Sequence, residues 1–314
     1  MADKSVQNEM RIGEASSISH ANFQLAVKCT KLVGDTFSKS NPMCVMFQAL
    51  NGKWYEVGRT EQLKNTSDPM WVQKLQMPCT FETKQVIKFE IYDSDLSQKK
   101  LKKRESSLKS WVEKLGRTHC LGRVETTMLD LVLAPCRQFV SELEGVPKNE
   151  ESQIFIDVEE VYECKDLVQL QFSAHKLDKK DTFGKSDPFY VISKGMPSGQ
   201  FIVVHRSEVI KNKLSPTWKT IHMLMKDLCS NDFERPLKID VYDEDMDGEH
   251  DLIGSFTTDL TTLKLSASKN IQYPLFNPKK EARMAAKKKL YRYIDSGKMN
   301  ILCCEIIHKD FFPE

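Results

Sequence analysis

No run of 18 or more apolar residues occurs in the 314-residue chain, so no segment is expected to cross a bilayer as a helix. The first twenty residues also lack an apolar core and read as a loose polar tail rather than a secretory leader. Ala2 stands where N-myristoylation requires glycine. Nine cysteines are present, but none form a Cys-x-x-Cys pair, and their number is odd and their spacing irregular. A zinc site and a disulfide framework are therefore not expected, and ordinary packing of free thiols is. Cys303 and Cys304, adjacent in a strand-like run, should face opposite sides of it. His-Glu-x-x-His and Gly-x-Ser-x-Gly are absent, and no nucleophile–base pair stands out, so the chain is not expected to be an enzyme. Gly184-Lys185-Ser186 mimics the end of a phosphate loop, but Lys179 occupies the place of its first glycine. Excess charge is lacking too: with a net charge of +2, any electrostatic function must reside in local clusters.

What the chain does contain is a duplication. Asp35-Thr36-Phe37-Ser38-Lys39-Ser40-Asn41-Pro42 is answered by Asp181-Thr182-Phe183-Gly184-Lys185-Ser186-Asp187-Pro188. Arg59-Thr60-Glu61 is answered by Arg206-Ser207-Glu208, Asp68-Pro69-Met70-Trp71 by Ser215-Pro216-Thr217-Trp218, and Tyr92-Asp93-Ser94-Asp95 by Tyr242-Asp243-Glu244-Asp245. A nearly constant offset across four landmarks predicts two similar domains, at 19–161 and 162–310 after a flexible tail at 1–18. Within each half, short alternating segments such as 23–29, 86–92, 168–174 and 237–242 have the period of half-buried strands. The expected fold is all-β, two tandem antiparallel sandwiches. Two segments break the pattern: 96–118, inserted in the first half with eight Lys/Arg, and 279–292, with seven. Apart from Trp111, Tyr291 and Tyr293 they lack the aromatic platforms of nucleic-acid binders.

The second half carries a constellation of carboxylates. Asp181 and Asp187 share one inter-strand loop; Asp243, Asp245 and Asp251 share another. Brought to one end of a sandwich, five carboxylates repel one another unless a cation neutralises them. Hard oxygen donors in that number suit calcium, and His250 is the only nitrogen ligand nearby, which disfavours zinc. An EF-hand reading of the loop starting at Asp243 fails, because Gly254 occupies the position that requires a bidentate glutamate.

Lys185-Ser186-Asp187-Pro188-Phe189, Ser215-Pro216-Thr217-Trp218 and Val241-Tyr242-Asp243-Glu244-Asp245 resemble a C2 domain. The run from Lys176 to Phe189, Arg206 to Asn212, and Asn277-Pro278-Lys279-Lys280 are similar to the second C2 domain of copines. The resemblance spans roughly residues 20 to 310 and implies eight-stranded C2 sandwiches of type II topology. It further implies that Asp181, Asp187, Asp243, Asp245 and Asp251 hold Ca2+, with Asp178 a neighbour. Copines continue into a von Willebrand A-like domain and this chain ends at Glu314, so it resembles a short form. In the first half Asp35, Asp93 and Asp95 remain, but Asn41 replaces an aspartate and the last ligand position falls on His119 or Cys120. That site is expected to be degenerate, because ligand charge sets affinity.

The implied function is calcium-dependent docking on anionic phospholipid membrane. Phe183 and Met246 would enter the interface, and the chain would be cytoplasmic, recruited to plasma or other membranes when calcium rises. His205, Arg206, Lys211 and Lys213 offer a second basic patch for phosphoinositide. The alternative is a calcium-independent scaffold that binds protein partners.

Overall fold

The computed structural model describes residues 20–33, 40–93, 120–146, 151–162, 164–179, 185–245, 250–286 and 293–308. The first sandwich is built from β1 (His20–Thr30), β2 (Pro42–Leu50), β3 (Lys53–Arg59), β4 (Leu75–Thr80), β5 (Val86–Asp93), β6 (Cys120–Thr127), β7 (Gln138–Glu142) and β8 (Gln153–Glu160). The second repeats it with β9 (Leu167–His175), β10 (Pro188–Gly195), β11 (Phe201–Arg206), β12 (Ile221–Leu224), β13 (Leu237–Asp243), β14 (Asp251–Thr258), β15 (Gln272–Pro274) and β16 (Lys298–Ile307). Four α-helices are described: α1 (Met128–Val132), α2 (Met225–Cys229), α3 (Leu260–Lys269) and α4 (Pro278–Ala286). None of the described helices is long and apolar enough to cross a membrane.

The two sandwiches have one topology. In the first, sheet β4-β1-β8-β7 faces sheet β3-β2-β5-β6; in the second, β12-β9-β16-β15 faces β11-β10-β13-β14. Every strand pairing among the described residues is antiparallel. Alternation accounts for the facing: Phe23, Leu25, Val27 and Cys29 of β1, and Val168, Leu170 and Phe172 of β9, point into their respective cores. Five cysteines are buried and all nine are free; Cys304 is buried while Cys303 is only half-buried.

The repeated landmarks turn out to be repeated contacts. The indoles of Trp71 and Trp218 are buried and each donates to the carbonyl of the proline that opens the next sheet, Pro42 or Pro188, at 3.3 Å. Thr60 Oγ1 accepts from the Cys44 N–H at 3.0 Å, and Ser207 Oγ from the Tyr190 N–H at 2.9 Å. Glu61 accepts from the Val72 and Gln73 amides, and Glu208 from the Lys219 amide. Duplication therefore preserved the loop-to-sheet bonds as well as the core.

The halves also touch. On β10 the residues facing away from the second core, Phe189 and Val191, are buried with Val203 and pack against Val72 of the first half. Lys194 is 1 % exposed; its Nζ donates to Glu159 Oε2 of β8 at 2.6 Å and to Ser230 Oγ at 2.7 Å. Arg206 Nη2 donates to the Met70 carbonyl at 2.8 Å. Lys74 Nζ donates to the carbonyls of Val203 at 2.5 Å and Trp71 at 3.2 Å.

Burial, and next the like charge of Lys194, pushes the Lys74 ammonium down to about 7 against the attraction of Glu61, Asp157 and Asp227. The unfolded chain binds that proton more tightly than the folded one between the two pKa values. Stability is thus expected to rise with pH above about 7, by at most ~1.4 kcal/mol per pH unit from this group, with the full penalty in force below it. Melting curves from pH 6 to 9 should show this slope in the wild type, and Lys74→Met should remove it.

Candidate metal centre

The register of the second sandwich gathers carboxylates at one end. Pro188 lies opposite Asp243, and Asp243 opposite Asp251. Asp187 precedes Pro188, so residues 187, 243 and 251 top three neighbouring strands. A bulge between Val241 and Tyr242 re-aims the end of β13 just before Asp243, and the first half has the same bulge between Ile91 and Tyr92, just before Asp93.

Asp243 joins the two loops. Its Oδ1 accepts from the Asp187 N–H at 2.6 Å, and the Asp187 carbonyl accepts from the Glu244 N–H at 3.1 Å. The side chain is 1 % exposed, and Oδ2 is buried with no hydrogen-bond donor. A buried carboxylate oxygen without a donor is costly.

Asp187 is held differently. Its Oδ1 accepts from the Asn212 N–H at 2.6 Å and its Oδ2 from Lys211 Nζ at 3.0 Å. These bonds, the Asn212 amide first, hold its carboxyl below the usual aspartate range. Asn212 sits at φ 55°, a left-handed turn that asparagine tolerates. Lys211 also reaches Glu244 Oε2 at 2.6 Å, and the two carboxylates raise its pKa. The Asp245 N–H donates to His250 Nδ1 at 3.2 Å, and Asp251 is exposed. Asp178 is committed elsewhere: its Oδ2 accepts from Lys280 Nζ at 2.5 Å. Asp181, Phe183 and Met246 lie outside the described residues. Among the described residues, no group of three His, Cys, Asp or Glu side chains is arranged to hold a metal ion.

The donor set nevertheless fits a hard cation. Asp243 Oδ2 is buried without a donor, Asp187 and Asp251 top the neighbouring strands, and the Asp187 carboxyl is held below the usual aspartate range. Thiolates are not among them.

The first half preserves this scaffold with less charge. The Asn41 N–H donates to Asp93 Oδ1 at 2.8 Å, and the Asn65 N–H, from a residue at φ 51°, donates to Asn41 Oδ1 at 2.9 Å. Asn41 thus makes the loop bonds of Asp187 as a neutral amide. Asp35, Asp95, His119 and the insertion at 96–118 lie outside the described residues. Cys120 is half-buried, and burial raises its thiol pKa, so it offers no anionic ligand.

The second basic patch read from sequence is not assembled. Arg206 is turned to the first half, Lys211 is paired with Asp187 and Glu244, and burial lowers the pKa of His205. Lys213 is exposed. Sequence reading missed Glu244 as the second partner of Lys211, for which no periodic signal exists.

A C2-domain family model matches residues 23–132 and 165–275. The chain belongs to the C2-domain family. Many C2 domains bind Ca2+ and phospholipid, and this chain carries the C2 domain twice. Solved C2 structures resemble it. The C2A and C2B domains of Extended-Synaptotagmin 2 are 13% identical over 99% of this chain and 100% of that one, with a TM-score of 0.33. The calcium-bound form of that tandem is 14% identical over 92% and 98%, with a TM-score of 0.32. A structure described as BON1-C2B is 25% identical over 46% of this chain and 92% of that one, with a TM-score of 0.37.

Proposed function

We propose that this tandem C2 protein is a copine-like, calcium-dependent phospholipid-binding module whose second domain docks on anionic membrane. The observation that carries the reading is Asp243 Oδ2, a buried carboxyl oxygen with no donor, at the meeting point of two aspartate-bearing loops. Asp187, Asp243, Asp245 and Asp251, with Asp181, are the proposed ligands. Calcium, when bound, supplies the positive charge that cancels the rim's repulsion for anionic headgroups and offers lipid phosphate a coordination position. The protein's own part is to fix the two loops to one another. Asp243 locks the loops together through the Asp187 amide, and the Asn212 amide keeps Asp187 ionised. Lys211 balances Asp187 and Glu244 until the loops are loaded. Phe183 and Met246 are proposed to enter the interface, and the first domain, one charge poorer at Asn41, is proposed to bind calcium weakly or not at all. In this reading the chain is cytoplasmic until calcium recruits it, and it binds rather than catalyses.

The test is vesicle cosedimentation with calcium or chelator, comparing wild type with Asp187→Asn/Asp245→Asn. Asn41 already fills the place of Asp187 in the first domain with the same amide bond, so the fold tolerates the change. Calcium-dependent pelleting should vanish in the double variant. Undiminished pelleting that still requires calcium would overturn the ligand assignment.

A further inference from the structure

Helix α4 is held in place without being packed. None of its nine residues is buried. A nine-residue helix is marginal in water without tertiary support, yet its amino end is fastened with care. Asn277, buried just before it, accepts from the Lys280 N–H at 3.0 Å and donates through Nδ2 to the carbonyls of Leu252 and Ile253, at 2.5 and 3.2 Å. The Asn277 N–H donates to Tyr293 Oη at 2.7 Å. Lys280 crosses the Tyr293 ring to pair with Asp178. Among the described residues the helix is fixed at its amino end and leaves its sides unburied.

Its place and chemistry indicate what. α4 lies in the β15–β16 connection, and β16 begins opposite His175 at the end of β9, the end from which the first aspartate loop departs. The Asp178 N–H donates to the Ser296 carbonyl, and Leu252 follows Asp251 directly, so the helix and the metal rim share one edge. Lys279 and Arg283 are exposed, against Glu281 as the helix's one acid. Large apolar side chains flank the helix in sequence: Phe276 before it is 47 % exposed, and Ile294 after it is 77 % exposed. Cations beside exposed apolar side chains are what an interfacial element needs.

We infer that α4, with Phe276 and Ile294, is a second membrane-contact surface that seats on anionic lipid beside the metal rim. The inference rests on the proposed calcium-dependent docking for its orientation. Lys280 tethers the helix to the rim, Lys279 and Arg283 meet headgroups, and the flanking apolar residues enter the interface.

The experiment uses the full chain and vesicles of phosphatidylcholine with or without phosphatidylserine, at several salt concentrations. Lys279→Gln/Arg283→Gln is expected to weaken calcium-dependent vesicle binding by roughly tenfold to thirtyfold at low salt, from about 1 kcal/mol per basic residue near the leaflet. The gap should close as salt rises. Ile294→Ser should weaken binding with little salt dependence. Calorimetric calcium affinity without lipid should be unchanged in both, which separates this surface from the rim. Wild-type vesicle binding by both variants overturns the inference and leaves the calcium reading intact. Should the wild type bind equally without calcium, the calcium reading falls, and α4 is then supported if the double variant loses that binding and overturned if it does not. Loss of DNA-oligonucleotide binding with unchanged vesicle binding would also overturn the lipid assignment.

Discussion

Asp243→Asn is expected to make the metal-free protein more stable while abolishing its stabilisation by calcium. In the free protein Asp243 is 1 % exposed, with one oxygen bonded to the Asp187 amide and the other without a donor. Asparagine keeps the first bond through its carbonyl and removes the charge. Relief of an unsatisfied buried acceptor is worth roughly 1–3 kcal/mol. For a domain of this size that raises the melting temperature by about 2–4 °C per kcal/mol. Wild type should gain from calcium by mass action, about 2.7 kcal/mol when calcium stands a hundredfold above its dissociation constant; the variant should gain nothing. Scanning calorimetry in chelator and in calcium reads both effects. A variant that melts lower in chelator, or still rises with calcium, would show that Asp243 is a structural acid. In the same titrations Asp93→Asn should leave the calcium response untouched, since Asn41 has already taken one charge from that rim.

The other large effect lies away from the rim. Glu159→Ala should cost about 3–5 kcal/mol, because it leaves the Lys194 ammonium buried with Ser230 as its remaining bonded partner. Arg235, whose Nη2 lies 3.5 Å from Glu159, loses the same carboxylate. Urea denaturation of the full chain measures the loss. Adding Lys194→Met to Glu159→Leu should recover most of it, since a buried ion pair replaced whole by apolar groups is often neutral. If the double variant is no more stable than Glu159→Ala, the site needs polarity rather than charge balance.

Much of this was legible in the chain because it is encoded locally. Strand alternation places Phe23, Leu25 and Val27 inside whatever their neighbours do. The repeated Ser/Asp-Pro-x-Trp and Arg-Ser/Thr-Glu landmarks recur because each half reuses the same loop-to-sheet bonds, from Trp71 and Trp218 to Glu61 and Glu208. The loss of charge at Asn41 could be read by aligning the halves. Partner choice between long, flexible side chains could not. Lys211 resembles a membrane-facing cation in sequence, yet it closes on Asp187 and Glu244. Asp178 reads in sequence as a neighbour of the ligand set, yet Lys280 reaches it from 102 positions away. Arg206 resembles part of a basic face, yet it bonds the Met70 carbonyl in the other half.

The amino-acid order by itself determined two antiparallel sandwiches and which loops carry acid, because period and turn chemistry act over a few residues. Tertiary structure alone decided which acids are already matched by a lysine, which one is buried with an oxygen to spare, and that the outer face of β10 is covered by the other half. Those outcomes depend on how close distant segments come, and side-chain reach and burial, not sequence spacing, set that distance.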